Sequence, residues 1–485
     1  MTEHKPSSPD SPPIDLAAVK TIHLMAIAGT GMGAFARLLQ QAGYEVRGSD
    51  EKVWPPMSDL LREAGIEWME GFKGENLEPA PDLVVVGNVI RRTNAEAEAM
   101  REKKLPHLSF PEAVGELFLR ERRSLVVAGT HGKTTTTSLL AWMLREAGQD
   151  PSFLVGGVAK NLGDSAALGK GECFVIEGDE YDTAYFDKGP KFLHYRPEAV
   201  IFTSLEFDHA DIFRDLAHYR SAFADLMDLV PPTGVVAAWA GDEALIELAL
   251  RAPGRVATYA AREGVDALWR AEQVRPFEGG SRFEVRRAGK FLGEVGLKIP
   301  GLHNVENALA AIVVGDHLGL SLDEMRPGLE SFEGVRRRQE VRGEPGGVTV
   351  VDDFAHHPTA VRETVAALRA RHPERRLWAV FEPRSNTARR NIYQAAYAGA
   401  FGGADEIIVA SPPPHPDPIP PEEAFDPPAL VEALEAGGQR ARHLPDAEAI
   451  LAHLKDECRE GDVVLIMSNG AFGGLPARLV EALER

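Results

Sequence analysis

The sequence predicts an α/β protein of three domains built on open parallel sheets wound with helices. Three observations carry this. Short apolar runs alternate with helical segments along most of the chain. Two of the runs end in a glycine-rich turn that leads straight into a helical segment. At 485 residues the chain is also too long for one ordinary core, and its length suits about three domains.

Residues 1–20 precede the first domain, and the Ser- and Pro-rich stretch through Asp15 reads as a flexible tail. The first domain, residues 21–122, has strand candidates at Ile22–Ala28, Glu45–Gly48 and Leu83–Val86. Its first strand runs into Ala28-Gly29-Thr30-Gly31-Met32-Gly33-Ala34, and Asp50 ends the next strand about 20 residues on. A dinucleotide-binding domain carries these features, so an NAD-dependent dehydrogenase is one reading. A diphosphate of another ligand, or a purely structural turn, fits the same residues.

The second domain, residues 123–333, opens on Val126-Val127-Ala128-Gly129-Thr130-His131-Gly132-Lys133-Thr134-Thr135. The apolar run reads as a buried strand, and the turn delivers Lys133 and Thr134 to a helix expected over Thr135–Ala147. Such a turn cradles phosphate. Glycines let backbone N–H groups approach the anion, the helix N-terminus adds partial positive charge, Lys133 reaches terminal phosphates, and the Thr134 hydroxyl can ligate Mg²⁺. The loop is shorter than the usual G-x-x-x-x-G-K-[ST], which points to an unusual branch of P-loop enzyme. A tight turn with an exposed lysine is the plainer alternative. Further strands are expected at Cys173–Ile176, Val200–Phe202 and Val235–Trp239, with a hairpin of Ser281–Val285 and Phe291–Val295 appended.

Carboxylates cluster in Glu177-Gly178-Asp179-Glu180-Tyr181-Asp182, at the strand edge where open α/β sheets bind ligands. The next strand ends in Leu205-Glu206-Phe207-Asp208-His209 and brings a histidine to the same edge. A metal held there, with Glu177 as ligand, would stabilise charge on a moving phosphoryl group. A solvated acidic loop and a structural histidine are the alternatives. Gly301-Leu302-His303-Asn304-Val305-Glu306-Asn307 then opens an alanine-rich helix. Asn304 and Asn307 lie one turn apart and could read an adenine edge, or Asn304 could cap the helix.

The third domain, residues 334–485, has strand candidates at Val348–Val351, Leu377–Phe381, Glu406–Val409 and Val463–Met467. Val351-Asp352-Asp353-Phe354-Ala355-His356-His357-Pro358 ends a strand and starts a helix, with Pro358 in a favoured first-turn position. Asp352 would either bind ribose hydroxyls or cap that helix. Arg336-Arg337-Arg338 reads on its own as a solvated charge run. The Pro-rich stretch Ser411–Pro428 is expected to be a loop.

A formal charge of -20 and a pI near 5.3 argue against nucleic-acid and anionic-membrane partners. With only Cys173 and Cys458 a disulfide framework is not expected, and a reducing cytoplasm fits. Apolar runs such as residues 462–467 are too short to span a bilayer, and the N-terminus lacks a signal-peptide core.

GTHGKTTT, EGDEYD, the Asp208-His209 pair, HNVEN and DDFAHHP, in that order, resemble the Mur ligase family of peptidoglycan enzymes. The likeness covers nearly the whole chain after the tail. It implies a Rossmann-like UDP-sugar domain, a central P-loop ATPase domain and a Rossmann-like C-terminal domain. The AGTGM turn with GSD at 48–50 resembles the branch acting on UDP-N-acetylmuramate, which displaces the dehydrogenase reading and implies Gly29, Gly31, Met32, Gly33, Ser49 and Asp50 as UDP-sugar contacts. Within that branch, the long loop Glu180–Phe192, Phe381-Glu382-Pro383-Arg384-Ser385-Asn386-Thr387 and Met467-Ser468-Asn469-Gly470 resemble enzymes that attach L-alanyl-γ-D-glutamyl-meso-diaminopimelate. Addition of L-alanine is the alternative.

The resemblance further implies ATP and Mg²⁺ as cofactors, an acyl-phosphate mechanism, UDP-N-acetylmuramate and a murein tripeptide as substrates, and a monomer or weak homo-oligomer. It gives Lys133, Glu177 and His209 catalytic roles, Thr134 and Glu177 to one Mg²⁺, and His209 to a second metal ion or to the region of the substrate carboxylate, while Arg338 matches a basic position after the central domain. Gly129 to Thr135, Asn304, Asn307 and Asp352 would bind ATP, and Arg384, Ser385, Asn386, Ser468 and Asn469 the peptide. Several relatives use a carbamylated lysine shortly after the Asp-His pair, whereas Leu216-Ala217-His218-Tyr219-Arg220 offers no lysine.

Overall fold

Val- and Ile-rich runs form the interior strands of three large sheets in the computed structural model, which describes residues 4–54, 57–277, 279–414 and 419–484. The first sheet is parallel throughout, in the order Glu67–Glu70, Glu45–Asp50, Thr21–Met25, Leu83–Val86, His107–Ser109. Leu83 to Val86 are all fully buried, as a parallel strand covered on both faces requires. Strand order reverses at Thr21–Met25, so a crevice opens beyond its C-terminal end. The strand stops before the expected Ala28 because Ala26 takes φ +66° and leaves the ladder. The amides of Ala26 and Ile27 then donate to the Ser49 carbonyl at 2.9 and 3.1 Å, and helix Thr30–Gln41 follows.

The opening segment departs from the flexible tail expected of it. The Ser7 amide and hydroxyl donate to Glu112 at 2.7 and 2.8 Å, Ser8 Oγ meets His107 Nε2 at 2.8 Å, and Ile14 is buried. Pro and Ser disfavour regular structure but leave side chains free to dock on the first sheet.

The central sheet holds ten strands, and its parallel middle runs Arg255–Ala260, Val235–Trp239, Ala199–Phe202, Arg123–Ala128, Cys173–Gly178, Ser152–Leu154. The expected hairpin forms as Gly280–Arg287 and Lys290–Leu297. An additional strand, Trp269–Phe277, joins it to the sheet. Its Arg270, Glu272, Gln273 and Arg275 hide it from an apolar-run criterion. Arg123–Ala128 lies between Cys173–Gly178 and Ala199–Phe202, which brings the ends of those strands to either side of the glycine turn.

The third sheet has six strands in the order Glu340–Gly343, Thr349–Asp353, Val463–Met467, Leu377–Phe381, Glu406–Ala410, Ala441–Leu444, with Glu340–Gly343 antiparallel to its neighbour. Part of the proline-rich stretch is helical: Pro427–Ala436 starts inside it, because proline in a first helical turn gives up no needed donor. Residues 415–418 of that stretch lie outside the described residues. Among the described residues no helix is long and apolar enough to cross a membrane.

Candidate active site

The phosphate loop depends on glycine at two left-handed positions, Gly129 (φ +127°) and Gly132 (φ +79°). A Cβ on Gly129 would stand 2.3 Å from Thr203 Oγ1, so no other residue lets the loop pass this close. Helix Lys133–Glu146 begins on Gly132, and its first-turn amides have no intrahelical acceptor. That turn can grip an anion. The cradle is narrower than the sequence suggests, because the Thr130 amide donates to Ser204 O at 3.1 Å and the His131 amide to Ser204 Oγ at 2.8 Å.

Lys133 Nζ donates to Gly129 O at 2.6 Å and to Glu180 Oε1 at 3.0 Å. Glu180, whose side chain is wholly buried, also accepts from His209 Nε2 at 3.1 Å and the Tyr219 hydroxyl at 3.2 Å. Burial alone would push the Glu180 carboxyl up, but Lys133 and His209 outweigh it and hold it below its ordinary value. Burial likewise opposes charge on Lys133 and His209, and Glu180 reverses that for both. The three groups form a charged cluster. Glu180 and Tyr219 were not singled out from the sequence; the only signal for Glu180 was its place in the acidic run.

On the other side of the loop, the Thr134 hydroxyl donates to Glu177 Oε1 at 2.9 Å, while Glu177 Oε2 accepts from the Gly156 amide at 2.8 Å. A hydroxyl and a carboxylate touching at the mouth of a phosphate loop are hard oxygen donors of the kind Mg²⁺ takes. Arg338 belongs here too: its Nη2 stands 3.4 Å from Thr134 Oγ1, and its guanidinium lies 4.7 Å from the Phe354 ring centre. It is not a solvated charge. His209 sits at φ +56° with its ring 4.1 Å from that of Tyr181, joined to Glu180 rather than to Thr134 and Glu177.

A cavity of about 360 Å³ extends from the phosphate loop between the central and C-terminal units, walled by residues that include Trp239, Tyr259, Asn304, Asn307 and Asp353. Asn304 Nδ2 donates to Pro300 O at 2.7 Å and Asn307 Nδ2 to Asn304 Oδ1 at 3.2 Å. The N-cap of their helix is Gly301, so Asn304 caps nothing. Asp352 needs correction. Successive strand residues face opposite sides, and it is Asp353 that reaches the cavity, whereas Asp352 turns toward Arg337 Nε at 3.5 Å. Nor does Asp352 cap the following helix; His357 does.

At the first-domain turn, a Cβ on Gly29 or Gly31 would come no closer than 3.7 Å to the rest of the chain, which leaves a backbone surface open to a ligand. Gly33 is different: a Cβ there would strike Met57 Sδ at 2.3 Å. Ser49, expected at a UDP-sugar, is fully buried and donates to Glu96 Oε1 at 2.9 Å, while Met32 is buried in its helix. Asp50 accepts from the Ala28 amide at 2.9 Å and so holds the turn itself.

In the third unit the exposed Arg384 lies across Gly470, where a Cβ would stand 2.2 Å from Arg384 Cδ. Arg337 Nη2 donates to the carbonyls of Ser468 at 2.8 Å and Gly470 at 2.6 Å. Ser468 is buried, donates to Glu382 and accepts from the Gly470 amide, so this amide is not open to a ligand. Ser385 Oγ accepts from the Ala388 amide at 3.0 Å, and Asn386 Nδ2 bridges to Asp211 of the central unit at 2.9 Å. Asn469 Oδ1 is buried without a hydrogen-bond partner among the described residues.

Three family models match in succession: the Mur ligase family catalytic domain over residues 21–122, the Mur ligase middle domain over 127–315, and the Mur ligase glutamate ligase domain over 337–470. The UDP-N-acetylmuramate--L-alanyl-gamma-D-glutamyl-meso-2,6-diaminoheptandioate ligase of Escherichia coli is 41% identical over 96% of this chain and 98% of its own. A UDP-N-acetylmuramate--L-alanine ligase of Desulfatibacillum aliphaticivorans is 36% identical over 93% of this chain and 96% of its own. The crystal structure of a murein peptide ligase from Psychrobacter arcticus superposes with a TM-score of 0.71 at 35% identity, covering 96% of this chain and 99% of that one. With these matches, the phosphate loop, its acidic edge and the separate glycine turn have one common setting: the chain belongs to the Mur ligase family.

Proposed function

We propose that the protein is an ATP-dependent ligase that joins UDP-N-acetylmuramate to L-alanyl-γ-D-glutamyl-meso-diaminopimelate. The observation that carries the chemistry is the pairing of Lys133 and His209 with Glu180 on one side of the phosphate loop and of Thr134 with Glu177 on the other. A carboxylate is a poor electrophile, so amide formation needs activation. Its oxygen attacks the γ-phosphorus of ATP, ADP departs, and the acyl phosphate then yields to the peptide amine with loss of inorganic phosphate.

Each part of the chain serves a step. Lys133, and the first-turn amides behind it, neutralise phosphate charge as it shifts toward ADP. Thr134 and Glu177 would hold Mg²⁺, which supplies Lewis-acid stabilisation of the phosphate oxygens. His209, charged by Glu180, faces the acidic edge where the muramoyl carboxylate must lie. Asn304 and Asn307 wall the base end of the cavity, and Asp353 is the carboxylate for the ribose. The backbone of Gly29 to Gly31 takes the UDP diphosphate, and Arg384 a peptide carboxylate.

We assign residues 21–122, 123–333 and 334–485 to the sugar, nucleotide and peptide domains, following sheets that occupy separate stretches of chain. The identity to the peptide-adding relative supports the tripeptide over L-alanine as acceptor. A cytoplasmic location suits an ATP-consuming enzyme whose two cysteines are both free. Incubation with ATP, UDP-N-acetylmuramate and hydroxylamine, without peptide, tests the mechanism: an acyl hydroxamate is expected, and its absence with enzyme that ligates the tripeptide in a parallel incubation would reject the acyl phosphate.

A further inference from the structure

We propose that Glu206 is a positioning residue that couples the phosphate loop to docking of the C-terminal unit. This rests on the ligase reading above. Glu206 follows strand Ala199–Phe202 of the central unit and grips the loop by its backbone: its amide donates to Thr130 Oγ1 at 2.9 Å, and the Thr130 hydroxyl donates to its carbonyl at 2.8 Å. Its side chain then points two ways. Oε2 accepts from His131 Nε2, within the loop, at 2.7 Å. Oε1 accepts from the Thr359 hydroxyl at 2.9 Å, and His357 Nδ1 stands 3.3 Å from Oε2. Thr359 and His357 begin helix Pro358–Arg371 of the C-terminal unit.

The charges suit this arrangement. Burial would push the Glu206 carboxyl up, but the hydrogen bonds from His131 and Thr359 outweigh it and hold it at about 2. Burial drives His357 down to about 3, so its ring is neutral. The Thr359 amide donates to His357 Nδ1 at 3.3 Å, so that nitrogen is an acceptor and the Thr359 hydroxyl is the arm that binds Glu206. Ligand atoms of His131, Glu206 and His357 all lie within 4.8 Å of one another, a spacing a cation could use. His131 Nε2 and the Thr359 hydroxyl already donate to the carboxylate, one to each oxygen, so a hydrogen-bonded latch fits better. The rings of His131 and His357, 4.6 Å apart, close the contact between the units.

The consequence is mechanistic. His131 is two residues from Lys133, so undocking of Thr359 releases the carboxylate that anchors the loop. Phosphoryl transfer is then favoured only when the unit carrying the peptide cleft is in place. A hydrogen bond to a charged group is strong enough to shift rate roughly tenfold or more.

The test uses the full chain and the variants Thr359→Val, Glu206→Gln and their combination. Thr359→Val is expected to lower kcat for ATP-driven ligation roughly tenfold with little change in KM for UDP-N-acetylmuramate, and to do almost nothing further in the Glu206→Gln background. In parallel, small-angle scattering of the nucleotide-free proteins should show both single variants more extended than wild type. Equal kcat losses for Thr359→Val in both backgrounds, or unchanged scattering of both variants, would overturn the latch. Failure of the wild type to ligate any acceptor would instead reject the ligase reading, while scattering still judges the latch.

Discussion

Replacement of Lys133 by methionine separates what this lysine does for stability from what it does for chemistry. Glu180 is wholly buried and takes its principal counter-charge from Lys133 at 3.0 Å. Removing one member of a buried ion pair costs about 3–5 kcal/mol, because a bare charge stays behind. His209 and Tyr219 still donate to Glu180, which places the expected cost at the low end, about 3 kcal/mol. For a unit of this size that is a fall of about 6–12 °C in the midpoint of its thermal transition. Lys133→Met with Glu180→Gln should recover most of the loss, because no uncompensated carboxylate remains. ATP turnover should stay abolished in both variants, and UDP-N-acetylmuramate binding, measured by calorimetry, should stay nearly intact in both because the sugar site proposed above lies on the first sheet. A single variant with the wild-type midpoint would show that the pair is not desolvated. A double variant that melts as low as the single one would show that the cost does not arise from Glu180.

Other consequences can be checked separately. Gly29→Ala should fold with an unchanged midpoint, since its Cβ meets nothing closer than 3.7 Å, yet it should weaken UDP-N-acetylmuramate binding at least severalfold; unchanged affinity by calorimetry would remove this turn from the site. Arg384 is exposed, so Arg384→Ala should lower kcat/KM for the tripeptide only severalfold with ATP binding unaffected, and unchanged tripeptide kinetics would remove Arg384 from the peptide cleft. Burial opposes charge on Asp462, but Arg376, the Arg459 amide and Trp378 Nε1 outweigh it and hold the carboxyl below its ordinary value. A lowered folded pKa stabilises above the unfolded value near ~3.9 and ceases to do so as pH falls through the folded value. The gap in melting temperature between wild type and Asp462→Asn should therefore be large at pH 7 and shrink below about pH 4, and a gap constant down to pH 3 would reject this assignment.

What the sequence disclosed and what it hid divide along physical lines. Parallel strands such as Leu83–Val86 and Val463–Met467 are buried on both faces, so their apolar runs announce them. The phosphate loop is equally legible, since Gly129, Gly132, Lys133 and Thr134 are local in sequence and their chemistry is set by a single turn. Trp269–Phe277 carries no such run, because Arg270, Glu272, Gln273 and Arg275 interrupt it, although it lies inside the sheet between Arg255–Ala260 and the hairpin. The choice between Asp352 and Asp353 turns on strand parity, which adjacent identical residues conceal. Ser49 sits in the right motif but points into the core, where Glu96 from a distant helix claims its hydroxyl. Glu206 and Thr359 stand 153 residues apart, and nothing local connects them. Site residues fixed by one turn can be read from the chain, whereas those fixed by the meeting of two sheets need the fold.

The central claim is tested most directly by measuring ADP release and product mass with UDP-N-acetylmuramate and ATP against two acceptors, L-alanyl-γ-D-glutamyl-meso-diaminopimelate and free L-alanine. The account predicts one ADP per UDP-N-acetylmuramoyl-tripeptide formed, with little turnover of L-alanine. Efficient use of L-alanine with negligible use of the tripeptide would contradict it.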